Sequence, residues 1–222
     1  MCTSPDCVLS GRVPLGRIAH GRLDPMPDMN PFNATRNQVN DAPVGSAVEV
    51  HVPATTVLAI AGNGSPASDE FRQGVRDLWR VAYAIQQLPK GSWVPEGFAP
   101  YDMPPTEIVF DSPNRDCPWR LFLPQPDFVD QDVLDRVTAD LDAAAKKVRG
   151  EVCLAHLDPD HAVQSMHIGL PAGQPAAIAL IEQHAAALGL AVTGHHHEIL
   201  IDDPVRIGFD VARNLIRYSV NA

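Results

Sequence analysis

The chain is poor in cysteine and contains no long apolar run. Its four cysteines, Cys2, Cys7, Cys117 and Cys153, form no Cys-x-x-Cys pair and are too sparse for a disulfide scaffold. They fit a reducing compartment, with Cys117 and Cys153 as small buried apolar residues. No stretch approaches the roughly 20 apolar residues of a membrane span, and the N-terminus lacks the apolar core of a secretory signal. We therefore expect a cytoplasmic protein with no membrane partner.

Basic residues are also scarce: 17 Lys and Arg stand against 27 Asp and Glu, which gives a formal net charge of -10. Affinity for a phosphate backbone comes from clustered Lys and Arg that release counterions. The balance of charge therefore argues against direct binding of nucleic acid. With 222 residues, of which 45% are hydrophobic, the chain can bury a substantial core as one domain or two fused halves.

The first half of the chain predicts a strand, a helix and two further strands. An apolar run over 55–61 reads as a buried strand and ends at the turn residues 62–66. Ser68 can cap the following helix, whose apolar residues recur at helical spacing until Pro89. Two more strands are predicted at about 106–111 and 118–124.

The second half repeats this order after a linker helix predicted over 130–149. Its elements are a strand at 162–168, a helix at 175–188 and strands at about 196–201 and 214–220. We therefore predict an α+β fold of two strand-helix-strand-strand repeats, at about 47–125 and 151–222, related by a pseudo-twofold axis around a central ligand groove. The domain of 47–222 would follow an N-terminal segment, 1–46.

That N-terminal segment is rich in proline, glycine, asparagine and isolated arginine, and shows neither a helical nor a strand period. We expect an extended or flexible extension, and a functional lid over the groove is the alternative.

Two glutamates stand in apolar strands, where a charge needs a physical reason. Glu198 lies within His-His-Glu-Ile-Leu-Ile, and Glu107 begins the apolar run Glu-Ile-Val-Phe. Each falls on the second strand of its repeat, so the two carboxylates are predicted to converge on one pocket. Alternatively, either glutamate faces solvent or caps a sheet edge, because burial of an unpaired carboxylate is costly.

The histidine triple 195–197 invites a metal hypothesis. Adjacent strand residues point in opposite directions, so three consecutive histidines cannot converge on one ion without a bend. We expect neither a metal site nor a cofactor.

In the order and spacing of several motifs, the chain resembles the GyrI-like small-molecule-binding proteins, specifically the standalone cyclopropanoid cyclopropyl hydrolase subgroup. The resemblance covers about 48–220. The motifs are Asp-Glu-Phe at 69–71 leading to Val-Ala-Tyr-Ala-Ile at 81–85, Pro-Pro-Thr-Glu at 104–107, 119–129, Gln-Ser-Met-His-Ile-Gly at 164–169, and His-His-Glu-Ile at 196–199 with Asp-Pro at 203–204.

The resemblance implies a glutamate pair in a central apolar groove, matching Glu107 and Glu198, with Tyr83 as a possible proton donor. It implies a hydrophobic aromatic small molecule as the ligand, and it gives no oligomeric state. The expected ligand-binding residues are Trp79, Phe110, Trp119, Met166 and His196, and for the first four the alternative is ordinary packing in the core. The chain departs from the family at Val109–Phe110, where tryptophans are common, and at Leu170–Pro171, where Pro-Tyr is common.

The implied activity is hydrolysis of the cyclopropane ring in duocarmycin- or yatakemycin-type DNA alkylators, a detoxification or self-resistance reaction. One glutamate would deprotonate water while the other remains partly protonated, since two carboxylates in one apolar pocket cannot both ionise cheaply. The alternatives are a protein that binds and sequesters the drug without turnover, and an acidic inhibitor of a topoisomerase. A transcriptional sensor is disfavoured because no DNA-reading module precedes Val48.

Overall fold

The computed structural model describes residues 30–222, which form one antiparallel eight-stranded sheet with helices on both faces. The helices are α1 (Pro31–Val39), α2 (Asp69–Gln86), α3 (Gln131–Ala143), α4 (Gln174–Ala187) and the short α5 (Pro204–Ile207). The strands are β1 (Ala47–Val52), β2 (Thr55–Gly64), β3 (Thr106–Phe110), β4 (Cys117–Pro124), β5 (Cys153–Leu157), β6 (Asp160–Ile168), β7 (Ala191–Leu200) and β8 (Arg213–Asn221).

The strand order β1-β6-β8-β7-β3-β4-β2-β5 contains the two predicted repeats as mirror-ordered triplets. The first repeat is β2-α2-β3-β4 and the second is β6-α4-β7-β8, and their second strands, β3 and β7, pair at the centre of the sheet. The pseudo-twofold axis therefore passes between β3 and β7. The prediction of an α+β fold with two such repeats is confirmed.

One face of the sheet, here called the helix face, packs against α2 and α4. Helix α2 begins where the Ser68 side chain accepts a hydrogen bond from the Phe71 N–H, and acidic residues at 69 and 70 favour this positive helix end. Its fully buried Leu78 lies in the same core as Leu58 and Leu121 of the sheet. A second core lies beneath α4. The opposite face of the sheet, which α2 and α4 do not cover, is here called the groove face.

The linker helix is shorter than its predicted range of 130–149. It ends because Ala145 has a left-handed backbone, with φ 57°, and the Lys146 N–H turns back to the Leu141 carbonyl oxygen. This closing geometry is typical of helix C-termini. The chain beyond Ala144 runs to β5 without helix.

The expectation of an extended or flexible N-terminal segment is wrong for Pro31–Val39, which form α1. Asn30 caps this helix by accepting a hydrogen bond from the Phe32 N–H, and Pro31 stands at the first turn, where its missing N–H costs nothing. The tertiary contacts of Arg36 and Val39, both buried, stabilise a helix whose sequence has little amphipathic period. The part of the prediction that concerns residues 1–29 lies outside the described residues.

Helix α1 is anchored on the groove face by two buried side chains of the sheet. Gln164 donates from Nε2 to the carbonyl oxygens of Val39 and Asp41, at 3.0 and 2.9 Å. Arg217 donates to the Val39 carbonyl oxygen at 2.6 Å and to the Gln164 Oε1 at 2.9 Å. These bonds satisfy carbonyl groups at the end of α1 that have no partner within the helix. They fix residues 30–46 over the second repeat.

In the described residues 30–222, no helix is both long enough and apolar enough to cross a bilayer.

Replacement of Gln164 by alanine should lower the free energy of unfolding by about 2–3 kcal/mol, because buried carbonyl groups and the Arg217 guanidinium lose partners. Urea denaturation gives the stability, and hydrogen exchange should show faster exchange over 31–46. The matched control is Gln38→Ala, since Gln38 is exposed on α1. Equal stability of the two variants would contradict the anchoring role.

Candidate active site

The pairing register of β3 with β7 places Glu107 and Glu198 on opposite faces of the sheet. Glu107 stands opposite Ile199, and Ile108 stands opposite Glu198. Directly opposite residues share a face, and the face alternates at every residue along a strand. Glu107 therefore belongs to the groove face and Glu198 to the helix face. The prediction that both carboxylates converge on one pocket is wrong. Both glutamates lie on the second strand of a repeat, but each pairs with the neighbour of the other rather than with the other glutamate, and a difference of one residue turns a side chain to the opposite face.

Glu107 is a buried carboxylate in a cationic setting. Its side chain is 5% exposed, and its Oε2 lies 3.0 Å from Nε2 of His197. Burial alone would raise the pKa of Glu107, but the hydrogen bond and charge of His197 and the charges of Arg217 and Arg36 together hold that pKa below its usual value. Glu107 is therefore ionised at neutral pH.

The second oxygen of this carboxylate, Oε1, is buried and has no hydrogen-bond partner among the described residues. Buried carboxylate oxygens normally accept hydrogen bonds, so this atom is free to accept one from water or a ligand.

A cavity of about 450 Å³ lies over Glu107 on the groove face. Its apolar wall includes Val57, Val109 and Phe122, and its polar groups include Glu107, His197, Arg36 and Arg217. Arg36 reaches the cavity from α1 and donates to the Thr55 hydroxyl at 3.2 Å. The exposed His156 and Asp158 border the cavity on the solvent side. An apolar cavity with a few converging polar groups is the usual form of a small-molecule site.

Glu198 lies instead in a buried polar cluster of the helix face. Its side chain is 0% exposed, and its Oε1 lies 2.9 Å from Nε of Arg115 and 3.0 Å from Nε2 of His196. The other nitrogen of His196 lies 2.8 Å from the Tyr218 hydroxyl. Burial would raise the pKa of Glu198, but the His196 hydrogen bond and the Arg115 charge lower it overall. Burial also raises the pKa of Tyr218 to about 12, so its phenol remains protonated.

Three aromatic residues expected to line the groove lie on the helix side of the sheet. Trp119 is 2% exposed and packs edge-on against Phe71 at 5.1 Å. Phe110 is fully buried and stacks on His196 at 6.2 Å, beside the Glu198 cluster. Trp79 donates from its indole nitrogen to the Thr106 hydroxyl at 2.8 Å. None of the three lines the Glu107 cavity.

Two further expected residues are also away from the Glu107 cavity. Tyr83 is 56% exposed on α2, and α2 packs on the face opposite Glu107. Met166 does lie on the groove face, but it packs with Ala42 and Leu215 in the part that residues 30–46 cover. The structure therefore joins Glu198, His196 and Phe110 in one cluster and leaves Glu107 with partners that were not expected.

Those missed partners are His197, Arg36 and Arg217. Strand alternation already placed His197 on the face opposite Glu198, so only the β3–β7 register was needed to pair it with Glu107. Nothing in the sequence pattern marks Arg36 or Arg217, because each reaches Glu107 from a distant segment.

The solved structures similar to this chain include hydrolases from Listeria innocua. One shares 26% identity, covering 86% of this chain and 98% of that chain with a TM-score of 0.79. A second shares 25% identity, covering 81% and 94% with a TM-score of 0.75. The EcmrR C-terminal domain shares 11% identity, covering 79% and 97% with a TM-score of 0.51, and indicates the fold alone. The chain shares the α+β fold of these structures.

No protein-family model matches the chain, and comparison with curated proteins also gives no match.

Substitution Glu198→Gln should destabilise the fold by about 2–3 kcal/mol at pH 7, since Arg115 and His196 lose a buried anion. The folded-state pKa of Glu198 lies below its usual value of 4.5, so the carboxylate stabilises fully above that pH. As pH falls below 4.5 through the lowered pKa, the difference from the parent should shrink. Urea denaturation across pH 3–7 measures this.

Glu96→Gln is the control, because Glu96 is exposed in the loop before β3. A stability loss in Glu198→Gln that stays constant down to pH 3 would contradict a stabilising ionised carboxylate.

Proposed function

We propose that this protein is a hydrolase that binds a hydrophobic aromatic small molecule in the groove-face cavity and opens its cyclopropane ring by adding water. The observation that carries the proposal is the Glu107 carboxylate, buried in an apolar cavity with Oε1 unpartnered among the described residues. The likeness to hydrolases of Listeria innocua supports hydrolytic chemistry. The substrate class rests on the family resemblance of the sequence.

Glu107 acts as the general base in this scheme. His197 lies 3.0 Å from one carboxylate oxygen and is placed to hold it, while the other oxygen stays without a partner among the described residues. A water molecule that donates a hydrogen bond to Oε1 is both positioned and activated, as general base catalysis requires. His197 is a positioning residue, since it acts through Glu107.

Ring opening in a cyclopropane fused to a cyclohexadienone needs little catalytic power, because it relieves strain and forms an aromatic ring. Glu107 accepts a proton from water, and the water oxygen bonds to the less hindered cyclopropane carbon. The carbon–carbon bond breaks, and its electron pair passes into the dienone to give a phenolate. The phenolate takes a proton from solvent, and Glu107 releases its own proton to solvent.

The cationic side of the cavity suits the charge that develops in this reaction. Arg36 and Arg217 both line the cavity, where a guanidinium can stabilise the dienone oxygen as it becomes negative. In this scheme one carboxylate is the base and a guanidinium stabilises the dienone oxygen, in place of the expected glutamate pair. Arg36 thereby replaces Tyr83 as the proposed partner of the dienone oxygen. The proposed biological role is detoxification or self-resistance.

Binding without turnover is the second candidate. The lowered pKa of Glu107 favours it, because a carboxylate held ionised by His197 and two arginines is a weak base. The same cavity would then sequester the drug unchanged.

Incubation with a cyclopropane-bearing DNA alkylator, followed by mass spectrometry, separates the two candidates: turnover adds the mass of one water. Glu107→Gln should lower turnover roughly 10²- to 10⁴-fold while ligand binding largely survives, because the amide keeps the shape but cannot take the proton. Glu182→Gln is the control outside the cavity. An unchanged rate in Glu107→Gln would contradict the base role, and unchanged bound drug with the parent protein would favour sequestration.

The location of the ligand can be tested separately from catalysis. Val52 lines the cavity, so Val52→Trp should fill part of it and weaken binding of the alkylator at least about tenfold by steric exclusion. Val205→Trp is the matched control, because Val205 is 82% exposed in α5. Fluorescence titration measures both affinities. Equal affinity of the two variants would place the ligand elsewhere.

A further inference from the structure

The edge strand β1 and its neighbour β6 bring together two histidines and a glutamate. His51 stands directly opposite His161 in the antiparallel ladder, and Glu49 lies two residues before His51 on the same face. The nitrogen and oxygen atoms that these three side chains offer all lie within 4.8 Å of one another. Glu49 stands opposite Val163, which packs beneath α4, so the group belongs to the helix face.

We propose that Glu49, His51 and His161 form a binding site for a divalent transition-metal ion of the zinc class. Two imidazoles and one carboxylate are a common ligand set for zinc, with a fourth position left to water. Ligands of tetrahedral zinc are about 3.3 Å apart, given metal–ligand bonds near 2.0 Å. The ligand atoms lie within 4.8 Å of one another, so they must approach by about 1.5 Å at most to reach this distance.

The existing geometry already places the three groups side by side. The imidazole rings of His51 and His161 stack with centroids 4.5 Å apart and planes 21° apart. The Glu49 Oε1 lies 2.5 Å from Nε2 of His161. A metal ion bound by this pair would take the carboxylate oxygen and the imidazole nitrogen as two of its ligands.

The strand pairing makes the site rigid at its base and accessible at its tip. Six consecutive residue pairs join β1 to β6, which fixes the backbone positions of all three ligands. The Glu49 side chain is 41% exposed and the His161 side chain 31% exposed, so an ion can enter from solvent. β1 forms one edge of the sheet. A bound ion would therefore tie this edge strand to the sheet.

The ligand chemistry selects the class of ion. Imidazole nitrogen suits Zn²⁺, Ni²⁺, Cu²⁺ and Co²⁺, whereas Mg²⁺ and Ca²⁺ prefer oxygen ligands. The site faces away from the groove that holds Glu107, so metal binding and the proposed hydrolysis can be tested independently.

Isothermal titration of the full chain with zinc chloride, after removal of bound metal by dialysis against a chelator, tests the site. We expect a single equivalent to bind, with magnesium chloride giving no binding. His51→Ala and His161→Ala should each weaken zinc binding at least about tenfold, because even the loss of a group that only hydrogen-bonds to a metal ligand costs about 10- to 100-fold in affinity. Glu49→Gln should weaken binding less. Co²⁺ should give the visible absorption of a tetrahedral site.

His195→Ala is the control, because His195 is an exposed histidine outside the cluster. Circular dichroism verifies that each variant is folded. If zinc does not bind the parent, if His51→Ala and His161→Ala bind as tightly as the parent, or if only His195→Ala loses binding, the proposal is overturned. The three side chains would then act only as polar protection of an edge strand against pairing with other chains.

Discussion

The register between β3 and β7 is the constraint on which the arrangement of this protein depends. These strands meet at the pseudo-twofold axis, so their hydrogen-bond pairing decides which side chains each repeat presents to which face. A shift of one residue would exchange Glu107 and Ile108 between the faces. Ile108 and Phe110 are buried in the core beneath α2, and this burial stabilises the observed register. Glu107, which alternates with them along β3, therefore lies on the groove face.

The two buried carboxylates illustrate different solutions to the same energetic problem. A buried charge is tolerated only if partners replace its hydration. Glu198 receives its partners within a buried cluster, from Arg115 and His196, and offers no access to a ligand. Each of the two carboxylates keeps one oxygen without a hydrogen-bond partner among residues 30–222, but it is Glu107 that borders the groove-face cavity. Chemistry at Glu107 is therefore compatible with the fold, whereas Glu198 stabilises it.

Helix α1 makes the two nearly equivalent repeats unequal on the groove face. Hydrogen bonds with Gln164 and Arg217 hold it over the second repeat, while the cavity lies mostly over the first and reaches His197 and Arg217 of the second. The helix also supplies Arg36 to that cavity. The N-terminal segment was expected to be an extension outside the domain, yet its helix α1 contributes to the candidate site. This position resembles that of the lid over the groove, which was the alternative.

The sequence by itself determined the α+β class, the two repeats and most element positions, because apolar periodicity and capping residues such as Ser68 are local signals. It also identified two unusual strand glutamates and a histidine beside one of them. It could not decide the faces of Glu107 and Glu198, since facing depends on a register between strands about 90 residues apart. Only the tertiary structure joined Arg36, Arg217 and His197 to Glu107, because charges from separate segments are brought together by packing rather than by spacing.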